Sequence, residues 1–313
     1  MRIVFMGTPA FALPVLDAVC SRHQVTLVVT QPPRPRGRGR RVQPSEVAKE
    51  AHRRGLSTLA LVRFDEDALQ AIENARPDAV VVAAFGRILP PAVLKIPRLG
   101  CVNVHPSLLP RYRGAAPIQR ALMAGEQVTG VSVVLVTEEV DAGPILAQRR
   151  VRIGSAETAG ELAERLSQLG AELLLEVLDG LEAGRIQPQP QDDRQACPAP
   201  RIRPQDEVID WREPARRVVD RVRALNPEPG AHTFWKGRRL KVWRAAVVSG
   251  HGEPGMVLAA SPRAGLVVAA GDGAVEILSL QPEGRRAMDA QEFLRGYRLA
   301  VGQCLGQGGE RRE

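Results

Sequence analysis

The sequence predicts an α/β protein: a doubly wound, Rossmann-like, mostly parallel sheet followed by a small C-terminal β-barrel of OB-like type. Three observations carry that prediction. Short, continuously apolar runs alternate with helical patterns through the first 105 residues, which is how strands buried on both faces of a parallel sheet read. A Pro- and Gln-rich stretch without periodicity, GRIQPQPQDDRQACPAPRIRPQ (184–205), interrupts the chain. Beyond it lie short apolar strands separated by Gly and Pro. The expected organisation is a catalytic domain over 1–189, a linker over 190–205 and a second domain over 206–313.

Taken in order, RIVFM (2–6) is a short buried strand, GTP a turn, and 10–20 a helix. VTLVVT (25–30) and DAVVVAAF (78–85) are the next strong strands, with helical patterns around 45–54 and 65–75. PPAVLKI then reads as a short helix and GCVNVH (100–105) as a fourth strand. The segment 129–153 contains two strands with no helix between them, so an antiparallel hairpin is expected at one end of the sheet. From 155 to 183, Leu162, Leu166, Leu169, Leu173, Val177 and Leu181 recur every three or four residues, the stripe of a helix packed on a core; a coiled coil has the same spacing. After the linker, HTFWKGRRLKVWRAAVV, PGMVLAAS, GLVVAAGDG and AVEILSLQPEG supply the strands of the barrel.

Composition bounds the function classes. A chain of 313 residues suits one large domain or two ordinary ones. Hydrophobic residues at 44% and charged residues at 25% exclude a disordered chain, and 4% aromatics leave the core to Leu, Val, Ile and Ala. The net charge of +8 favours an anionic partner, nucleic acid first. Nearly every base is Arg, with Lys only at 49, 95, 236 and 241, so clustering rather than abundance carries the signal. Four Cys at 20, 101, 197 and 304 form no CxxC pair; neither a disulfide framework nor a zinc site is indicated, no metal is expected, and a reducing cytoplasm fits. At the N-terminus, Gly7, Pro9 and Pro14 break the apolar run and Asp17 follows, which reads as strand, turn and helix rather than a secretory leader. No run approaches the roughly 18 apolar residues of a membrane span, so no membrane partner is expected.

Chemistry concentrates in GCVNVHPSLLPRYRGAAPIQ. Side chains alternate along a strand, so Asn103 and His105 share a face, with Cα atoms about 6.6 Å apart. Pro106 has no backbone donor and ends the strand at the C-terminal edge of the sheet, where open α/β sheets bind ligands. An amide there can donate to a developing oxyanion, and an imidazole can move a proton near neutral pH. Asp141, in EEVDAGP, lies in the turn of the expected hairpin; above the same edge it would orient His105 and stabilise its cation. Asp before Gly is also ordinary turn chemistry. An amide, an imidazole and a carboxylate suit attack by a substrate amine on an acyl carbon, with no Ser or Cys nucleophile. GTPAFA follows a strand and opens a helix, but it lacks the further glycines of a dinucleotide loop and the Gly-Lys-Ser/Thr of a P-loop.

Two basic regions suit nucleic acid. QPPRPRGRGRRVQP (31–44) holds Arg34, Arg36, Arg38, Arg40 and Arg41 with no acid among them, and reads as a flexible loop that contacts phosphates. From Arg212 to Arg244 ten bases face only Glu213, Asp220 and Glu228, with Trp235 and Trp243 interleaved; the rings either stack on bases or fill the barrel core.

VVVAAFGRILPPAVL, GCVNVHPSLLPRYRGAAPIQRALMAG, TGVSVVLVTEEVDAGPIL and VIDW…ALNPEPGA resemble the methionyl-tRNA formyltransferase family, from FMGTPAFA through LSLQPEGRRAM. The Asn-x-His-x-Ser-Leu-Leu-Pro segment with the later Asp-x-Gly is shared by all formyltransferases that use 10-formyltetrahydrofolate. It is specific for the chemistry and weak on the acceptor; RYRGAAPIQ, the Arg loop and the C-terminal barrel point to tRNA. The resemblance implies catalytic roles for Asn103, His105 and Asp141, and folate contacts by Phe85, Gly86, Ile88 and Leu89 of FGRIL and by Ser107, Leu108, Leu109 and Pro110. It also implies 10-formyltetrahydrofolate as formyl donor, initiator methionyl-tRNA as acceptor, a tRNA contact by Arg38, and a cytoplasmic monomer. A Lys often stands shortly before IDW in that family. Here RIRPQDEVIDW offers Arg201 and Arg203, which match its charge but carry no modifiable amine. Two other readings remain open: transfer to a small amine such as a purine precursor or amino sugar, and RNA binding without catalysis.

Overall fold

The computed structural model describes residues 1–36 and 41–306 and divides into two units. Met1–Pro117, Val128–Arg152 and Ala163–Ala199 form the first; Ile118–Gln127, Ile153–Leu162 and the chain from Pro200 form the second. The chain runs β1 (Arg2–Gly7), α1 (Leu13–Arg22), β2 (Gln24–Thr30), β3 (Arg34–Arg36), β4 (Arg41–Gln43), α2 (Glu46–Arg53), β5 (Thr58–Ala60), α3 (Glu66–Asn74), β6 (Ala79–Ala83), α4 (Pro91–Leu94) and β7 (Cys101–His105). It continues through β8 (Arg111–Arg113), α5 (Pro117–Met123), β9 (Val128–Leu135), β10 (Ile145–Arg152), α6 (Ala159–Glu182) and β11 (Cys197–Pro198).

The main sheet has the order β10-β9-β7-β6-β1-β2-β5. The strands from β7 to β5 pair in parallel, whereas β9 and β10 are antiparallel, as the apolar runs and the hairpin predict. β6 is buried along its whole length, which explains its unbroken Val run. β5 escapes a sequence reading because it is a three-residue edge strand with exposed ends. Ser45 and Asp65 cap α2 and α3 by accepting from the amides of Ala48 and Ala68. On α6, Leu162, Leu166, Leu173 and Val177 are buried, so the heptad-like stripe is core. Gly170 lets this helix approach the sheet: a Cβ there would lie 2.6 Å from Val104 Cγ1, on the strand that carries Asn103 and His105.

Two stretches differ from expectation. The basic loop carries a short antiparallel ladder, Arg34–Arg36 against Arg41–Gln43; Arg38 and Arg40 lie outside the described residues, as do the side chains of Arg36 and Arg41. The stretch expected as a linker is partly built into the first unit. Cys197 and Pro198 pair with Arg111 and Arg113, and Ile145 exchanges both backbone bonds with Gln189 at 2.8 Å. Its Pro-rich composition hides this because each pairing is only one or two residues long, not a long ladder.

The second unit adds α7 (Ala215–Ala224), β12 (Ala231–Trp235), β13 (Arg238–Val248), β14 (Val257–Ser261), β15 (Gly265–Ala269), β16 (Ala274–Pro282), β17 (Met288–Asp289) and α8 (Ala290–Gly296). Its antiparallel sheet has the order β12-β13-β16-β15-β14, with β17 on β16. Among the described residues β14 and β12 do not pair with each other directly; residues 302–306 lie between these two edges, with the Gly302 amide donating to the Val257 carbonyl on β14 and the Gly306 amide to the Phe234 carbonyl on β12. α7 was concealed by its five charged positions; Val218, Val219 and Val222 bury one face. Asp220 and Arg223 form a buried pair at 2.7 Å, and Arg223 Nη1 also donates to the Gly154 carbonyl. Trp235 packs edge-on against Phe293 of the core, and Trp243 Nε1 donates to Gln281 Oε1.

His232 on β12 is 4% exposed, and its Nδ1 has no hydrogen-bond partner among the described residues; Glu207 Oε2, at 3.9 Å, is too far. Burial first, then Arg239 and Lys241, hold the imidazole below its ordinary value. The folded state therefore keeps His232 neutral where the unfolded chain, titrating at about 6.5, takes up a proton. Stability present above that pH is lost as pH falls. Between about pH 7.5 and about pH 5.5, the thermal midpoint of the protein should fall more steeply than that of His232→Gln; parallel slopes would contradict this.

Candidate active site

β7 ends in the residues that the strand period places on one face. Asn103 is half-buried, and His105 is 4% exposed. The imidazole is fixed by a backbone carbonyl: Nε2 lies 3.0 Å from the oxygen of Tyr112. A carbonyl only accepts, so Nε2 carries the hydrogen, and Nδ1 is the nitrogen left for chemistry. It faces Asp141 Oδ2 at 3.5 Å. Asn103 Nδ2 donates toward Asp141 Oδ1 at 3.4 Å, and the amide of Gly114 donates to Oδ2 at 2.9 Å.

Asp141 arrives from an unexpected direction. Strand β9 is antiparallel to β7, and Val136 donates to the carbonyl of Cys101, at the far end of β7 from Pro106. The segment 136–144 then folds back, so that Asp141 reaches both Asn103 and His105. Asp141 has φ +53°, a left-handed conformation, and Gly143 has no room for a side chain: a Cβ would lie 1.8 Å from the Leu135 carbonyl oxygen. The segment after β7 closes over the pair from the other side, through Tyr112 at φ +63° and Gly114 at φ +128°.

The segments expected to contact folate divide by exposure. Phe85, Leu89, Ser107 and Leu109 are buried and shape the segments from within. Gly86 is exposed, Ile88 is 69% exposed, and Leu108 and Pro110 are half-buried. The turn after β6 is shaped by Ala84 at φ +46° and Gly86 at φ +77°, and the Phe85 carbonyl accepts from Gln31 Nε2 and Thr8 Oγ1. Arg87 keeps a buried Nε with no partner among the described residues, a donor free for an acceptor-rich ligand. Arg34 is exposed on β3. Arg201 and Arg203 are exposed in the second unit; the Arg201 carbonyl accepts from Arg120 Nη2, and the Arg203 amide donates to Asp206.

Sequence reasoning missed Ser132, Gln148 and Gln191. Ser132 on β9 is directly opposite His105 and fully buried. Its hydroxyl donates to the Ser107 carbonyl at 2.7 Å and accepts from the Leu109 amide and Gln148 Nε2. A lone polar residue inside TGVSVVLV was the available signal.

Comparison with known proteins places the chain in a family. A family model described as Formyl transferase matches residues 1–178, and Formyl transferase, C-terminal domain, matches 201–298. Methionyl-tRNA formyltransferase of Carboxydothermus hydrogenoformans is 43% identical over 306 residues, covering 97% of this chain and 99% of the relative. The chain belongs to the methionyl-tRNA formyltransferase family. A member of that family from Thermus thermophilus is 47% identical over 308 residues, 98% of this chain and 100% of the relative. The fold is also that of an N-formyltransferase from Helicobacter canadensis crystallised with folinic acid and dTDP-3-aminofucose (TM-score 0.68, 16% identity, 90% of this chain and 99% of that one).

For this family member, Ser132→Ala would leave a buried amide, a carbonyl and a carboxamide without their shared partner. The expected cost is about 1–3 kcal/mol, read by denaturant unfolding. A loss below the resolution of that measurement would mean that the Ser107–Leu109 segment does not depend on Ser132.

Proposed function

We infer that this chain transfers the formyl group of 10-formyltetrahydrofolate to the α-amino group of methionine on initiator methionyl-tRNA, for translation initiation. The observation that carries the reading is the meeting of Asn103, His105 and Asp141, with separations of 3.4 and 3.5 Å, in a chain 43% and 47% identical to relatives named for that activity. The amine nitrogen attacks the formyl carbon, the carbonyl becomes an oxyanion, and the bond from that carbon to N10 of the folate breaks. The amine loses a proton and N10 gains one. Asn103 Nδ2 has two hydrogens, of which Asp141 engages one, so the other is available to the oxyanion. With Nε2 tied to Tyr112, His105 works through Nδ1, whose single hydrogen, present when the ring is protonated, goes to the oxyanion. Asp141 Oδ2, 3.5 Å from that nitrogen, acts on it through charge rather than by taking its hydrogen.

The folate donor would lie along the turn after β6 and the segment after β7. Gly86, Ile88, Leu108 and Pro110 offer surface there, while Phe85, Leu89, Ser107 and Leu109 fix the backbone. The unpaired Nε of Arg87 fits a heteroaromatic ring rich in acceptors. The tRNA backbone would be held by Arg34, Arg36, Arg38, Arg40 and Arg41, with Arg201 and Arg203 and the basic second unit adding phosphate contacts. Within that unit, Arg212, Arg216, Arg221, Arg223 and Arg244 are engaged by carboxylates, whereas Lys236, Arg238 and Arg239 form no ion pair among the described residues. One chain holds both the reacting groups and the basic surface, which supports a monomer. Among the described residues no helix is long and apolar enough to cross a membrane. Initiator tRNA as acceptor supports work in the cytoplasm.

The test offers labelled 10-formyltetrahydrofolate with methionyl initiator tRNA, a nucleotide-linked amino sugar or a purine-precursor amine. Transfer to the tRNA should exceed either small amine by at least about a hundredfold in kcat/KM. Preference for a small amine, or tRNA binding with no transfer at all, would overturn the reading.

A further inference from the structure

We propose that Gln191 is a positioning residue for formyl transfer: its side-chain amide fixes the turn that presents Asp141 to His105 and Asn103. The inference rests on the role given to Asp141 above. Gln191 lies between the residues matched by the two family models, 1–178 and 201–298, in a stretch whose composition reads as a linker.

Every hydrogen-bonding site of this amide is used. Nε2 donates to the carbonyls of Asp141, at 2.9 Å, and Gly143, at 2.7 Å. Oε1 accepts from Arg113 Nε at 3.0 Å and Nη2 at 2.8 Å. Arg113 directly precedes Gly114, whose amide donates to the Asp141 carboxylate at 2.9 Å. The result is a closed ring: the Asp141 side chain to Gly114, Gly114 through the chain to Arg113, Arg113 to Gln191, and Gln191 back to the Asp141 carbonyl. Both ends of the aspartate are thereby held against one frame.

The ring answers a specific need. Asp141 is held at φ +53°, which an L residue rarely adopts unless its neighbours impose it. The contacts from its carboxylate to Asn103 and His105, at 3.4 and 3.5 Å, stand at the long end of the hydrogen-bond range, so a small shift of the turn would part them. Gln191 is itself anchored on both sides, by the Ile145–Gln189 bridge and by the pairing of β11 with β8; Asp193 holds the same guanidinium at 2.6 Å. Gln suits the position because the two carbonyls need a donor and Arg113 needs an acceptor. Glu would satisfy Arg113 and face both carbonyls with an oxygen.

The experiment uses the full chain, 10-formyltetrahydrofolate and methionyl initiator tRNA. Gln191→Glu keeps the shape and the Arg113 contact but loses both donations; Gln191→Leu loses all four bonds. Each should lower kcat by about 10- to 100-fold, the scale of a misplacement near 1 Å, with KM for both substrates within about twofold. In an Asp141→Asn background, adding Gln191→Leu should lower the residual rate by less than about threefold, because the two act through one group. A Gln191→Glu enzyme with wild-type kcat, a loss expressed only in KM, or an undiminished loss in the Asp141→Asn background would overturn the proposal. Gln191→Glu carries the test if Gln191→Leu does not fold. An Asp141→Asn enzyme of wild-type rate would instead bring down the role of Asp141 itself.

Discussion

The site depends on how one carboxylate is held. Asp141 reaches Asn103 and His105 from a segment that starts at the opposite end of their strand, and it keeps a left-handed backbone while doing so. A carboxylate that is mostly buried must have its oxygens satisfied, or its desolvation is not offset. Gly114, Asn103 and His105 do this from three directions. Because Tyr112 takes Nε2 of the imidazole, the same carboxylate determines what the other nitrogen faces. The backbone turns at 112–114 and 141–143 therefore set the geometry of this cluster as much as the side chains they carry.

The fold explains why these pieces meet. Parallel strands bring β6 and β7 to one edge, which places the turn at 84–89 beside the end of β7. The antiparallel β9 then puts Ser132 opposite His105, and its hydroxyl ties Ser107 and Leu109 to the sheet. Gly170 on α6 allows close packing under β7. The pair Asn103 and His105 thus rests on a rigid strand, while the carboxylate is brought by loops that need extra fastening.

What was legible in the sequence follows from which interactions have a side-chain signature. The parallel sheet was readable because buried strands write unbroken apolar runs, as at Ala79–Ala83. Asn103 and His105 were readable because polar residues two apart on such a strand need a reason. The carbonyl of Tyr112 and the amide of Gly114 leave no trace in residue type, so the tautomer of His105 could not be read. Gln191 was hidden by a Pro- and Gln-rich surrounding, and α7 by its arginines, whose apolar face holds only a few valines. The strands of the second sheet were readable from their turn composition, whereas the bonds of 302–306 to both of its edges are made by backbone and leave no mark in residue type.

The central claim is that the chemistry belongs to the end of β7. The most direct measurement is the single-turnover rate of formyl transfer by Asn103→Ala and His105→Ala, each saturated with formyl donor and methionyl initiator tRNA. Loss of an oxyanion donor or an acid–base group should slow the step by at least about a hundredfold. Binding of the donor and of tRNA should change by less than about threefold, since neither side chain is assigned to binding. A His105→Ala enzyme that transfers at close to the wild-type rate would contradict the account.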